Sequence, residues 1–181
     1  TTGTSTAVLT IAAAGNSSIV TTTSGTDNFI AGAGAGNTIA SGGDRNILIG
    51  KNAGTALDTG DSNVAIGWEA LKTEDAHANN VAIGHAALTT QNAGADAYNV
   101  AVGYNAGTAV TTGLKNILVG GLVGDALTDA DFNVAIGYLA LTTDTLGSGS
   151  VAIGLQALTN QNFTTATTSY NTAVGHQAGA A

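Results

Sequence analysis

Cysteine, proline and methionine are absent from this 181-residue chain, aromatic residues make up 4% of it, and only four residues are lysine or arginine. Without cysteine there is no disulfide framework and no thiol chemistry, and nothing is learned about redox compartment. Arg45, Lys51, Lys72 and Lys115 stand against twelve acids, for a net charge of −8. A nucleic-acid partner is therefore not expected, because its phosphates need basic residues to neutralise them. No apolar run approaches the ~20 residues that span a bilayer, so no membrane insertion is expected within this segment. The stretch AVLTIAAA (residues 7–14) is short and lacks a basic flank, which argues against a signal peptide. With no initiating methionine, the chain reads as a processed product or a piece of something longer.

Disorder would require low hydrophobicity and high charge. Here 44% of residues are hydrophobic and 9% charged, so a buried core is expected, built from small side chains. What organises it is a repeated phrase. NVAIGWEAL begins at Asn63, NVAIGHAAL at Asn80 and NVAIGYLAL at Asn133, with looser copies from Asn46, Asn99, Asn116, Ser150 and Asn171. The glycines that close the first half fall at 50, 67, 84, 103, 120, 137, 154 and 175, with gaps of 17, 17, 19, 17, 17, 17 and 21 residues. A short fixed period means that each unit buries its apolar face only by stacking on its neighbours.

Each unit reads as one coil of an all-β parallel solenoid, or β-roll, of roughly 17 residues. Val64–Ile66 is a β-type run, Gly67 a corner, Trp68–Leu71 a second short strand, and residues 72–79 a polar return. A mid-unit glycine beside β-branched residues excludes a helix. The longer gaps place their extra residues in the returns 89–98 and 159–170. Residues 28–181 are expected to form the solenoid, and the Thr/Ser/Ala-rich residues 1–27 an irregular β segment or cap.

The repeated Asn and Gly read as structural corners: Asn63 with Gly67, Asn80 with Gly84, Asn99 with Gly103, Asn116 with Gly120, and Asn133 with Gly137. Stacked Asn amides would form a ladder at about 4.8 Å per coil, and Asn tolerates a left-handed corner. Glycine supplies positive φ without penalty. Alternation in the strand sends Val64 and Ile66 one way and Ala65 the other. We expect Val and Ile inside the coil, and the column Ala65, Ala82, Ala101, Ala135, Ala152 and Ala173 outside, facing a shared axis in a homotrimer.

The tandem N-x-A-[IV]-G phrase, with NTAVGHQAG at Asn171 and NVAVGYNAG at Asn99, resembles the repeats of phage tail fibre and appendage proteins. It is also similar to the head repeats of trimeric autotransporter adhesins, whose repeat is mostly shorter. The resemblance covers roughly residues 28–179. It implies a trimeric β-roll on a virion appendage or cell surface, serving as a structural and adhesive rod in host attachment. The alternatives are an autotransporter-type bacterial adhesin head and a monomeric polysaccharide- or ice-binding solenoid.

No Ser–His–Asp set emerges, and catalysis, cofactors and metals are not expected. Asp125, Asp129 and Asp131 cluster in one return, which reads as ordinary acidic surface rather than a Ca²⁺ site. The position after the corner glycine carries Trp68, His85 and Tyr104 on successive coils and Tyr138 two coils on, beside Glu69 and Asn105. Aromatic faces next to amides and acids suit sugars. This rung is the candidate contact for a host-surface polysaccharide or protein receptor.

Overall fold

The computed structural model describes residues 19–20 and 25–180, so the expected N-terminal segment 1–27 lies largely outside the described residues. Among those described there is no helix. Nine parallel strands stack in chain order: β2 (Phe29–Ala31), β3 (Ile47–Ile49), β4 (Val64–Ile66), β5 (Val81–Ile83), β6 (Val100–Val102), β7 (Ile117–Val119), β8 (Val134–Ile136), β10 (Val151–Ile153) and β12 (Thr172–Val174). A short β1 (Ile19–Val20) pairs antiparallel with β2 at one end. Registration is strict: Val64 pairs with Val81, Ala65 with Ala82, Ile66 with Ile83. The result is a parallel β-solenoid whose nine rungs, at about 4.8 Å each, span on the order of 40 Å.

The facing of the strands is the reverse of the expectation from sequence. Ala65, Ala82, Ala101, Ala135 and Ala152 are fully buried inside the coil, with Ala173 nearly so. Val and Ile on either side of each Ala are half-buried or exposed on the outer face of the sheet. The alanine column is therefore core, not a shared axis. A 17-residue coil is thin, and its interior is already occupied from the other wall by residues such as Ala70 and Leu71, both fully buried. Only a methyl group fits opposite them.

The second strand is also replaced. Glu69 and Leu71 have φ of 54° and 49°, and their counterparts along the stack repeat these left-handed values. A strand needs φ near −120°, so residues 68–71 form a turn instead. The turns still pair with neighbouring coils, as in Glu69 N–H to Lys51 O at 3.0 Å and Ala86 N–H to Trp68 O at 2.8 Å. Holding leucine in a left-handed conformation costs roughly 1–2 kcal/mol, which burial of the side chain, worth about 1.5–3 kcal/mol, offsets.

Two corners fix the strand. Each Asn carbonyl oxygen accepts the backbone N–H of the equivalent residue one coil on: Asn46 from Asn63 at 2.8 Å, Asn63 from Asn80 at 2.9 Å, Asn116 from Asn133 at 3.0 Å. Its amide nitrogen donates to a return carbonyl, as from Asn116 to Ala130 O at 2.7 Å. The ladder thus runs side chain to backbone. Left-handed φ belongs to the residue before the Asn (Arg45, Ser62, Asn79, Tyr98, Lys115, Phe132, Tyr170), not to the Asn itself. At the other corner Gly67 has φ 135°, and a Cβ there would sit 2.3 Å from the Gly84 carbonyl oxygen. That column requires glycine twice over, for its torsion and for the close stacking.

The interior sorts the coils into two kinds. Where the fourth residue after the corner Gly is Leu (71, 88, 141, 158), the seventh is polar (Glu74, Gln91, Asp144, Gln161). Where the fourth is Gly (36, 54, 107, 124), the seventh is aliphatic (Ile39, Leu57, Val110, Leu127). This holds for all eight coils that carry both positions. The kinds occur in consecutive pairs, so the 17-residue coil is nested in a longer repeat of about 70 residues. Gly54 and Gly124 face the larger strand residues Leu48 and Leu118. A Cβ there would come within 2.8 and 2.9 Å of a leucine methyl.

Candidate functional site

The predicted rung forms a continuous stack over part of its length. Trp68 and His85 lie 4.5 Å apart between ring centroids with an interplanar angle of 27°, and His85 and Tyr104 lie 5.0 Å apart at 24°. Each ring follows a corner glycine, and the strict register of the coils is what brings three rings into contact. Tyr138 stands apart, because the intervening rung is Gly121. The rings are about half exposed. Glu69 does not point free into solvent: its carboxylate pairs with Lys72 Nζ at 2.9 Å, which holds the carboxyl below its ordinary range. Asn105 Oδ1 lies 3.4 Å from His85 Nδ1. The rung therefore presents a flat aromatic strip with amide and carboxylate groups along one edge.

The Asn and Gly corners sit elsewhere. Asn63, Asn80, Asn99, Asn116 and Asn133 are fully buried with both ends of the amide engaged, and Gly67, Gly84, Gly103, Gly120 and Gly137 stack backbone on backbone. Neither column is open to a ligand.

The acids of the returns are more than a solvated coat. Asp44, Asp61, Asp96 and Asp131 each accept a backbone N–H from the preceding coil, to Thr26, Asp44, Ala78 and Leu114 respectively, at 2.6–3.0 Å. The calcium candidates are likewise committed. Asp129 accepts the Thr112 hydroxyl at 2.6 Å, Asp125 accepts that of Thr142, and Asp131 takes the Leu114 N–H. The closest grouping of metal-ligand types among the described residues is Glu74, Asp75 and His77, whose ligand atoms lie within 4.8 Å of one another. There Glu74 Oε1 already meets His77 Nδ1 at 3.0 Å and the His77 N–H at 3.2 Å, which reads as a structural pair.

Sequence reasoning missed two features. One is the outer face of the main sheet. Its two side-chain columns contain eighteen positions from nine strands, and Thr172 is the only polar residue among them. A sheet face turned to water normally carries polar side chains. The other is a cleft of about 410 Å³ at the later end of the stack, lined by Asp131, Phe132, Ser148, Gly149, Thr168 and Tyr170. Gly149 is the visible signal for it, being the one glycine in a corner column that otherwise carries side chains.

Comparison of the chain with protein-family models, with curated proteins and with solved structures returned no match. No helix among the described residues is long and apolar enough to cross a membrane.

Proposed function

We propose that this chain is a structural and adhesive rod segment of a phage tail fibre or similar virion appendage, working outside the cell as a homotrimer. It would space and stiffen the appendage and present a surface to a host polysaccharide or protein receptor. It is read as a non-enzymatic part.

The observation that carries this reading is the outer sheet face of the coil stack, apolar at every position but Thr172. Two columns over nine rungs, all Val or Ile on the seven from β3 to β10, make a strip on the order of 300–400 Å² before side-chain breadth is counted. That is already within the range of the largest patches soluble monomers leave exposed. A second copy of the same chain suits it best, because only another coil stack offers aliphatic rungs at the same spacing with no charge in either column. The axis of such a trimer would be lined by Val and Ile, not by alanine.

Sedimentation of the parent chain tests this. We expect three times the 17.5 kDa chain mass. Ile83→Lys and Ile136→Lys together should give folded monomers, because the change lies outside the coil and the lysines remain solvated. A monomeric parent would overturn the trimer and with it the rod reading.

Threonine usage weighs against an ice-binding solenoid. Such a surface needs free hydroxyls in a regular array. The return threonines Thr38, Thr73, Thr90, Thr111 and Thr128 instead donate to carbonyls of the next coil, at 2.6–3.2 Å.

A further inference from the structure

The cleft at Gly149 has the composition of a small ligand site, and its origin can be followed in the coil. The return after β10 is the longest in the stack. Its extra residues allow β11 (Thr167–Thr168) to lie parallel on β9 (Gly147–Ser148), a second sheet of two strands beside the main one. Ser169 N–H to Ser148 O, at 2.9 Å, continues that pairing. Tyr170 is thereby carried over Gly149. A Cβ on Gly149 would lie 3.4 Å from the Tyr170 ring and 3.5 Å from the Thr168 methyl.

Gly149 occupies the left-handed corner that holds Phe132 one coil before and Tyr170 one coil after. One side chain is missing from the column, and its place is flanked by two aromatic rings. Removing one rung leaves roughly 9.6 Å between its neighbours, about twice the inter-strand spacing. Lys115 Nζ lies 5.0 Å from the Phe132 ring centroid, so that ring is held by a cation as well as by its rung. In the equivalent corner of the earlier 70-residue unit the place is filled by Asn79, whose amide reaches Asp96 at 3.4 Å. The opening is therefore a departure from the repeat and not a property of every coil.

Polar groups converge at its edge. Asp131 Oδ1 accepts the Leu114 N–H at 2.7 Å, and the Asp131 N–H donates to Ser148 Oγ at 2.9 Å, which fixes the carboxylate. Asp131 Oδ2 and the Thr168 hydroxyl make no hydrogen bond among the described residues. A volume near 410 Å³ is at the small end of ligand pockets, which run about 300–1,000 Å³.

We propose that this cleft binds a single neutral pyranose, its C–H face against Phe132 and Tyr170 and its hydroxyls on Asp131 Oδ2 and Thr168 Oγ1. A carboxylate acceptor and a chain charge of −8 disfavour acidic sugars and phosphates. The site shares a ligand class with the adhesive reading and none of the residues of the Trp68 rung, so the two fail separately.

The test is saturation-transfer NMR on the full chain with methyl β-D-glucopyranoside and methyl β-D-galactopyranoside as probes. Transfer to the ring C–H protons of at least one is expected. It should weaken at least tenfold in Gly149→Tyr and severalfold in Asp131→Asn, and be unchanged in Asn92→Ala, an exposed residue that lines neither the cleft nor the aromatic strip. Tyr98 and Tyr170 occupy the same corner at φ 52° and 49°, so the backbone there tolerates the new side chain. Should Gly149→Tyr fail to fold, Tyr170→Ala removes one wall instead and should abolish transfer. The proposal is overturned if neither probe shows transfer, if a folded Gly149→Tyr binds like the parent, or if tetramethylammonium takes the cleft in place of both sugars.

Discussion

The coil that begins at Asn116 and the coil that begins at Asn133 have the same strand, corner glycine and buried Asn, yet they fill their interiors in opposite ways. The first puts Leu118 in the strand, Gly124 in the turn and Leu127 beyond it. The second puts Ala135, Leu141 and Asp144 in those places. All six are buried, and the side chain that Gly124 lacks leaves room for leucine. A thin coil has space for a fixed volume, and protein interiors tolerate little deviation from close packing. Where Leu141 fills the turn, the next inward position is left for a polar group that serves the backbone. Asp144 Oδ1 accepts the N–H of Gly147 at 3.1 Å and of Phe163 at 2.9 Å, and Oδ2 accepts the Gln161 amide at 2.6 Å. Glu74 takes the His77 N–H in the same manner, and Gln91, one coil on, accepts from Asn99 at 2.7 Å, as Gln161 does from Asn171. In each acid–Gln pair the Gln lies in a long return, 89–98 or 159–170, and the acid one coil before it. From that place the Asp144 carboxylate reaches a backbone N–H of the long return, that of Phe163.

Forcing one kind of coil into the other should give the largest effect. Asp144→Leu installs an aliphatic residue where Leu141 has already taken the space, and it leaves the buried Gly147 N–H and the part-buried Phe163 N–H without their acceptor, while the Gln161 amide keeps only Ser150 Oγ at 2.9 Å. At about 1–3 kcal/mol for each orphaned donor, a loss of about 3–5 kcal/mol is expected by denaturant unfolding. A loss below 1 kcal/mol would mean that the acid is only a spacer.

Next in size is Leu118→Ala, which should cost about 2–4 kcal/mol through the cavity it leaves. Adding Gly124→Leu converts the coil towards the Ala/Leu kind, and the backbone there, at φ 53°, already has the torsion that Leu71 and Leu141 adopt. About half of the loss should return. Gly124→Leu alone should destabilise, since its Cβ would meet Leu118 and Leu127 methyls at 2.9 Å. Additive rather than compensating effects in the double-mutant cycle would show that the two positions do not share one space.

This compensation bears on what was legible in the sequence. Period, strand triplets, the corner glycines and the solenoid itself follow from the spacing of N-x-A-[IV]-G alone. The facing of the strand does not, because a three-residue run alternates identically whichever side is inward. The information was present in another form: the strand's middle residue is Leu only where the turn carries Gly54 or Gly124, a size exchange that requires the two to face one another. An Ala82→Glu change would therefore unfold the coil and reveal nothing about assembly, which the Val/Ile face tests instead. The turn at 68–71 was hidden because leucine and glutamate rarely adopt left-handed φ without a packed neighbour to hold them. The cleft was hidden because Phe132 and Tyr170 are far apart in the chain and meet only through the long return.

A smaller effect separates Glu74 from the apolar rungs Leu57 and Leu127 in the same column. Burial pushes the Glu74 carboxyl above its ordinary value of 4.5, against the opposing influence of His77. The folded chain thus holds the proton more tightly than the unfolded one. Stability from this group is present in full below the unfolded carboxyl's pKa and is lost as pH rises from there through the folded value. Glu74→Gln keeps the shape and removes the titration. It should flatten that fall and make the chain more stable than the parent at neutral pH. Parallel pH profiles of melting for parent and variant would contradict this.

The smallest effect should fall on the exposed rung, where the two regions differ only in contact. His85 lies between Trp68 and Tyr104, whereas Tyr138 has Gly121 on one side and Leu155 on the other. Aromatic pairs are worth about 0.5–1.5 kcal/mol when packed, and half-exposed rings sit at the lower end. His85→Ala removes two such contacts and should cost about 1 kcal/mol, while Tyr138→Ala should stay within about 0.5 kcal/mol. The same pair sharpens the adhesive reading. A polysaccharide lying along the strip would need the unbroken Trp68–His85–Tyr104 surface, so His85→Ala should weaken binding beyond its effect on stability and Tyr138→Ala should not. Equal losses of binding in the two variants would show that the strip is no platform and that its rings only cover the backbone of the turns.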